Sequence, residues 1–283
     1  MDQTDKKSQD KKSLIQRAWV SLIAIPLVVV IIWFGAPWFT LLVVFWCMGS
    51  VHEFYTHIKK SKKFSPLVIF GMIWVGLLVA SPHIKSLPQF ADISPAAFLL
   101  TAGVVISLLV ILWSKGKENA FANWSWTVAG VLYIGWLSSL MVALRNLDDG
   151  RGWVFLAVLC TFASDSMAYL AGRALGKHRL APYVSPKKTW EGAVAGGAGA
   201  IVASTLIVWF FNLPVAYWQV IILGFAISLF GQLGDLVKSL FKRNMEVKDS
   251  GNILPGHGGF LDRIDSMIFA GVVTYFFAVF IQG

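Results

Sequence analysis

Charge is scarce in this sequence. Charged residues make up 14% of the chain, where a soluble domain carries about a quarter. That shortage, together with 13 tryptophans and 21 phenylalanines, excludes an ordinary soluble globule and points to a helical membrane protein. Cysteine is scarcer still. Cys47 and Cys160 both fall inside apolar runs, which argues against a disulfide framework and suits two small buried hydrophobes. Without a cysteine–histidine cluster, zinc is not indicated. There is no Walker A loop, no GxSxG elbow and no Cys/His dyad pattern. No obvious covalent nucleophile presents itself, which favours direct transfer between two bound substrates. No long repeat period is evident.

Positive charge is present in excess, +9 at neutral pH. It is interleaved with apolar runs and forms no single basic domain, so a nucleic-acid partner is not indicated. Anionic headgroups, anionic substrates and topology account for it better. Nine apolar runs are long enough to be read as spans: 18–34, 37–55, 64–81, 97–113, 124–144, 153–175, 193–211, 216–238 and 266–282. The stretch 18–39 is too long for a signal-peptide core and no clear cleavage site follows, so it reads as a retained span. Alternating the connections places 21 of the 24 lysines and arginines on one side, leaving only Lys85, Arg145 and Arg151 on the other. The positive-inside rule then predicts a cytoplasmic N-terminus. The expected architecture is an all-α, polytopic membrane protein of about nine helices. It divides into a polar cytoplasmic tail (1–17), N-terminal transmembrane helices (18–150) and a C-terminal catalytic region (151–283). Two long cytoplasmic loops, 176–192 and 239–265, are charged and punctuated by glycine and proline, so chemistry is expected to face the cytoplasm.

The acids are the first clue to that chemistry. Asp165 interrupts the run CTFASDSMAYLAG, where a carboxylate is costly unless paired, hydrated or bound to a cation. Asp235 closes the run ISLFGQLGD. Asp262 and Asp265 are three apart, so a helix beginning near Leu261 presents them on one face of its first turn. The positive end of the helix dipole would favour both. That alone does not explain Asp235, at the end of the preceding span and joined to them by a single loop. Three hard oxygen donors suit a divalent ion such as magnesium, which keeps sites open for substrate phosphate.

Cations flank these acids. YVSPKKTWEG carries Lys187, Lys188, Thr189 and Glu191, and SLFKRNMEVKDSGN carries Lys242, Arg243, Lys248 and Asp249. Acid-held metal ringed by lysine and arginine is the electrostatic pattern for a polyphosphate. In LPGHGG, Gly256, Gly258 and Gly259 let backbone amides approach an anion, with His257 beside them as a donor or acid. Gly192 and Gly196, at the start of the seventh run, read as close helix packing. His52 and Glu53 stay ambiguous, leaning structural.

The segment SLFKRNMEVKDSGNILPGHGGFLDRID (239–265) resembles the signature of the phosphatidate cytidylyltransferases. It carries Ser239, Lys242, Arg243, Lys248, Asp249, His257, Gly258, Gly259, Asp262, Arg263 and Asp265 at the signature positions. The segment ASDSMAYLAGRALGKHRLAPYVSPKKTWEGAVAG resembles the family's other well-kept region, while the first 150 residues match in hydropathy and size alone. The resemblance implies a magnesium-dependent nucleotidyltransferase that converts CTP and phosphatidate to CDP-diacylglycerol and pyrophosphate. It also implies a homodimer in the cytoplasmic membrane, with its site facing the cytoplasm. Asp235, Asp262 and Asp265 would hold magnesium, with room for a second cation. Lys187, Lys188, Lys242, Arg243 and Lys248 would contact phosphates of CTP or lipid. Ser185, Thr189 and the amides around Gly258 and Gly259 are further phosphate contacts, with Glu191 beside them. Lys248, Asp249, His257 and Arg263 join the catalytic set by the signature, and Asp165 either completes the ion site or orients a lysine. Two other readings remain open: transfer to a different phosphorylated lipid alcohol, and an ion-coupled transporter, which would spread polar residues through several midplane spans.

Overall fold

The computed structural model of the chain describes residues 22, 24–62, 64–85, 94–113, 119–245 and 259–283. Helices follow the apolar runs in order: α1 (Ala24–Phe34), α2 (Trp38–Lys62), α3 (Val68–Lys85), α4 (Pro95–Leu112), α5 (Ala120–Arg145), α6 (Gly150–Leu175), α7 (Trp190–Phe211), α8 (Tyr217–Asn244) and α9 (Leu261–Gln282). Among the described residues, seven helices, α3 to α9, are long and apolar enough to cross a bilayer. Helix α2 has the length, with 25 residues, but His52, Glu53, His57, Lys59 and Lys60 dilute it. The described part of α1 is short. Residues 1–17 and Lys248, Asp249, Gly256, His257 and Gly258, singled out in the sequence, lie outside the described residues.

Two charged segments differ from their sequence reading. The segment 239–265 is not all loop, because α8 continues to Asn244 and α9 begins at Leu261. Hydropathy ends where charge begins. Leucine, lysine and arginine nevertheless sustain a helix, and Lys242 and Arg243 complement its C-terminal dipole. The segment 176–192 is an ordered hairpin leading into a helix. Its strands β1 (Arg179–Ala181) and β2 (Ser185–Thr189) pair antiparallel, with Arg179 opposite Thr189 and Ala181 opposite Ser185. The all-α reading therefore holds apart from this hairpin. Helix α5 contains a π-helical stretch, Val131–Trp136, which shifts the phase of the residues that follow.

Two apolar cores form the bundle. One joins α6 to α9 with Ile32 and Phe39, and is centred on the fully buried Trp153. The other joins α2, α3 and α5 around Tyr55, Trp74 and Leu78. Leu261 and Met245, from the second half of the chain, belong to this first-half core. The tight contact between α6 and α7 explains the glycine run. A Cβ at Gly192 would lie 2.7 Å from the Ala168 carbonyl oxygen, and one at Gly196 would lie 3.0 Å from that of Ser164. Small residues let the two backbones approach. Thr189 starts α7 as its N-cap, with its hydroxyl accepting the Gly192 amide at 3.2 Å.

The long-range contacts define two ends. At one, Glu53 meets Leu261 and Lys188 meets Asp235. At the other, Arg145 meets Ile32 and Asn146 meets Pro82.

Candidate active site

Three elements deliver the charged residues to the first end. Helix α8 carries Asp235, Lys238 and Lys242 at spacings of three and four, so they share one face. Helix α9 carries Asp262 in its first turn and Asp265 three residues on, on the same face. Strand β2 carries Lys187 and Lys188, which alternation sends to opposite sides. Lys188 turns inward and Lys187 is exposed.

Lys238 is the hub. Its Nζ lies 2.9 Å from Asp235 Oδ1 and 3.4 Å from Asp262 Oδ1, and it pairs directly with Asp265 Oδ2. Lys188 Nζ reaches Asp235 Oδ2 at 2.7 Å and donates to the Gln232 carbonyl at 3.2 Å. Lys242 Nζ donates to Asp262 Oδ1 at 2.9 Å. The result is an alternating network of three lysines and three carboxylates drawn from β2, α8 and α9. Its two sides differ in access. The side chains of Asp235 and Lys188 stay 29% and 24% exposed, whereas Asp265 keeps 7%. Within the network, the Lys188–Asp235 side is therefore the more accessible one. Asp165, on α6, is within electrostatic reach of Asp235, Lys188 and Lys238, so it borders the same region.

The other sequence candidates divide. Arg243 ties α8 to the hairpin turn, its Nε donating to the Val184 carbonyl at 3.4 Å. Glu191 is engaged locally. Its Oε1 lies 2.6 Å from His178 Nδ1, and its carboxylate accepts the His178 amide. Thr189 is buried and occupied as a helix cap. These three fix the hairpin that aims Lys188. Ser185 opens β2, half-buried opposite Ala181. Gly259 is buried just before α9, and Arg263 is exposed on its first turn.

Sequence reasoning did not single out Lys238, although its i+3 relation to Asp235 was visible. It was counted among the topology charges. Tyr133 was also passed over. It sits in the π stretch of α5 with its hydroxyl buried, within electrostatic reach of Asp265, Lys238 and Asp235. Gln232 was hidden too. It joins Ser228 at 2.9 Å and the Ala193 carbonyl at 3.2 Å, and Ser228 in turn meets Ser164 at 2.7 Å. That polar seam locks α6, α7 and α8 together behind the lysines.

The donor chemistry suits a hard divalent ion. Among the described residues no three acidic, histidine or cysteine side chains already form a ligand cage. Magnesium characteristically binds through one or two carboxylates and completes its shell with water and substrate phosphate. Asp235 and Asp262, the more open of the three acids, fit that pattern. Asp265, paired with Lys238, would offer a third oxygen donor behind them.

Comparison with known proteins identifies a family for the chain. The sequence model of the Cytidylyltransferase family matches residues 15–281. A phosphatidate cytidylyltransferase of Bacillus subtilis (strain 168) is 36% identical over 244 residues, covering 84% of this chain and 87% of that protein. One of Brucella abortus biovar 1 (strain 9-941) is 34% identical over 257 residues, covering 88% of each.

Proposed function

We propose a function from one premise: the chain belongs to the cytidylyltransferase family. It is a membrane-embedded nucleotidyltransferase that joins CTP to phosphatidate, giving CDP-diacylglycerol and pyrophosphate. The observation that carries this reading is the lysine–carboxylate network at one end of the bundle, built by β2, α8 and α9.

Phosphatidate needs little activation. A phosphate monoester has a second pKa of about 6, so near neutral pH it is already an oxygen nucleophile. One of its oxygens attacks the α-phosphorus of CTP, and the bond from that phosphorus to the bridging α–β oxygen breaks. Pyrophosphate leaves with that oxygen and its electron pair. The barrier lies in bringing two polyanions into line. Lys188 and Lys242, each already facing a carboxylate, would exchange that partner for phosphate oxygens and offset the charge growing on the leaving group. Lys187 and Arg243 extend the positive rim, and Lys248 is added to the phosphate contacts by the signature resemblance alone. Lys238 stays between Asp235 and Asp265 and keeps the acids from repelling one another apart.

Asp235, Asp262 and Asp265 would hold magnesium, which supplies Lewis-acid polarisation of the phosphoryl oxygens. We place the network at the cytoplasmic face of the inner membrane, because the lysine and arginine distribution follows the positive-inside rule. Nine spans with the N-terminus inside, and a homodimer, belong to the same proposal. Phosphatidate then enters sideways between helices from the inner leaflet. The names of the relatives favour this reading over ion-coupled transport.

The test is turnover by purified protein in detergent or vesicles. CTP should be consumed only when phosphatidate and magnesium are both present, with pyrophosphate released in equal amount. Chelation should stop it. Equal turnover with ATP, or with an unrelated phosphorylated lipid, would refute the substrate assignment.

A further inference from the structure

Helix α9 carries Asp262 in its first turn and Asp265 at the start of its second, yet it does not cap itself. The residue at its cap position, Phe260, has helical dihedrals and makes no side-chain cap hydrogen bond. Phe260 and Leu261 are both buried, so their amides cannot turn to water, and a buried helix end requires a partner. The partner is 208 residues away in sequence. Glu53 Oε2, on α2, accepts the Leu261 amide at 3.0 Å. Glu53 is itself 3% exposed.

The rest of the α2 face is shaped for the same segment. Trp46, Gly49 and Glu53 follow a spacing of three and four, one helical stripe. The Trp46 indole donates to the Phe260 carbonyl at 3.0 Å, and its ring meets the Phe260 ring edge-on at 5.3 Å. Gly49 leaves room for that ring, since a Cβ there would lie 2.9 Å from it. One stripe of α2 thus grips both the amide and the carbonyl sides of the residue pair that launches Asp262.

We propose that Glu53 is a positioning residue for the cytidylyl transfer, acting as the borrowed N-cap that sets the first turn of α9 and so fixes where Asp262 and Asp265 stand. This deepens the reading above and rests on it. It gives a catalytic purpose to the N-terminal helices, which the family signature does not reach. A carboxylate suits the task, because an anion at a helix N-terminus adds dipole stabilisation to its hydrogen bonds.

The experiment compares the full-length wild type with Glu53→Gln and Glu53→Met, each checked for folding by thermal unfolding. Amide hydrogen exchange of residues 260–265 is followed without substrate or metal, and kcat and half-saturating magnesium are measured separately. In Glu53→Met, exchange in that segment should rise about tenfold while the α6 segment 153–163 is unchanged. Its kcat should fall about 30-fold and its magnesium requirement should rise. Glu53→Gln keeps an acceptor, so it should shift the same readouts in the same direction by less. If Glu53→Met fails to fold, the Gln variant decides alone. Wild-type exchange at 260–265, or wild-type kcat with an unchanged magnesium requirement, in either folded variant overturns the proposal. Glu53-dependent exchange in a protein that never consumes CTP with phosphatidate would uphold the cap and overturn the transferase reading instead.

Discussion

The two ends of the bundle use positive charge in opposite ways. At the active end, Lys188, Lys238 and Lys242 face carboxylates. At the other, Arg145 donates to the carbonyls of Ile32 and Trp33 at 3.1 and 3.2 Å, closing the last turn of α1. Gly35 permits this. Its φ of +76° suits glycine, and a Cβ there would lie 2.5 Å from the Arg145 guanidinium. Arg151 stacks on the Trp33 ring at 4.3 Å. Both arginines border a cavity of about 400 Å³. Cations at this end satisfy fixed backbone and aromatic partners, so they serve architecture. Cations at the proposed active end are held by carboxylates, anionic partners whose place a phosphate would take in the reading above. Basic side chains build either a joint, as the two arginines do, or a candidate anion site, as the three lysines do, depending on whether their partners are dipoles or charges.

Breaking the hub should have the largest effect. Lys238→Met leaves three neighbouring carboxylates without their shared cation, and removing one partner of a buried pair costs about 3–5 kcal/mol. Thermal unfolding in detergent should register that loss, and turnover should fall by about 1,000-fold. A stable, active Lys238→Met protein would remove Lys238 from the centre of the site. Asp265→Asn is the sharper companion. It keeps the shape of the side chain and the fold, and should abolish turnover; retained activity would strike Asp265 from the metal set.

Arg145→Ala tests the other end. It should lower stability by about 1.5–3 kcal/mol through the two lost charge-assisted hydrogen bonds. CTP turnover per folded molecule should stay within about twofold, because the backbone carbonyls it serves carry no chemistry. A selective loss of turnover at unchanged stability would blur the division between the ends. The smallest effect is expected from Glu191→Gln, which weakens the exposed His178 contact that steadies the hairpin. Turnover should drop no more than about threefold, and less at high salt, where the wild-type pair is already screened. A drop of a hundredfold would mean that Glu191 touches substrate directly.

Much of the fold was legible in advance. Long apolar runs have few ways to satisfy their backbones other than as helices, and each run carries a described helix. The candidate site was legible where motif and spacing coincide, as in Asp262 and Asp265 on one helical turn. Lys238 was present in the text but submerged in a count of topology charges. Glu53 was left ambiguous, since nothing near it in sequence explains a buried acid; its partner lies on the last helix. The hairpin of residues 179–189 also escaped notice. Its strands are three and five residues long, too short for alternation to stand out.

The sequence by itself determined the solvent this protein lives in, the order of its helices and the family chemistry of its charged loops. Those properties follow from composition and local spacing, which any stretch of chain carries with it. Tertiary structure alone decided that one lysine would sit among three aspartates, that Lys188 rather than Lys187 would face them, and that an acid in the first half would cap the last helix. Each of these depends on which surfaces meet when helices pack, and partners carried on separate elements leave no mark on their neighbours in the chain.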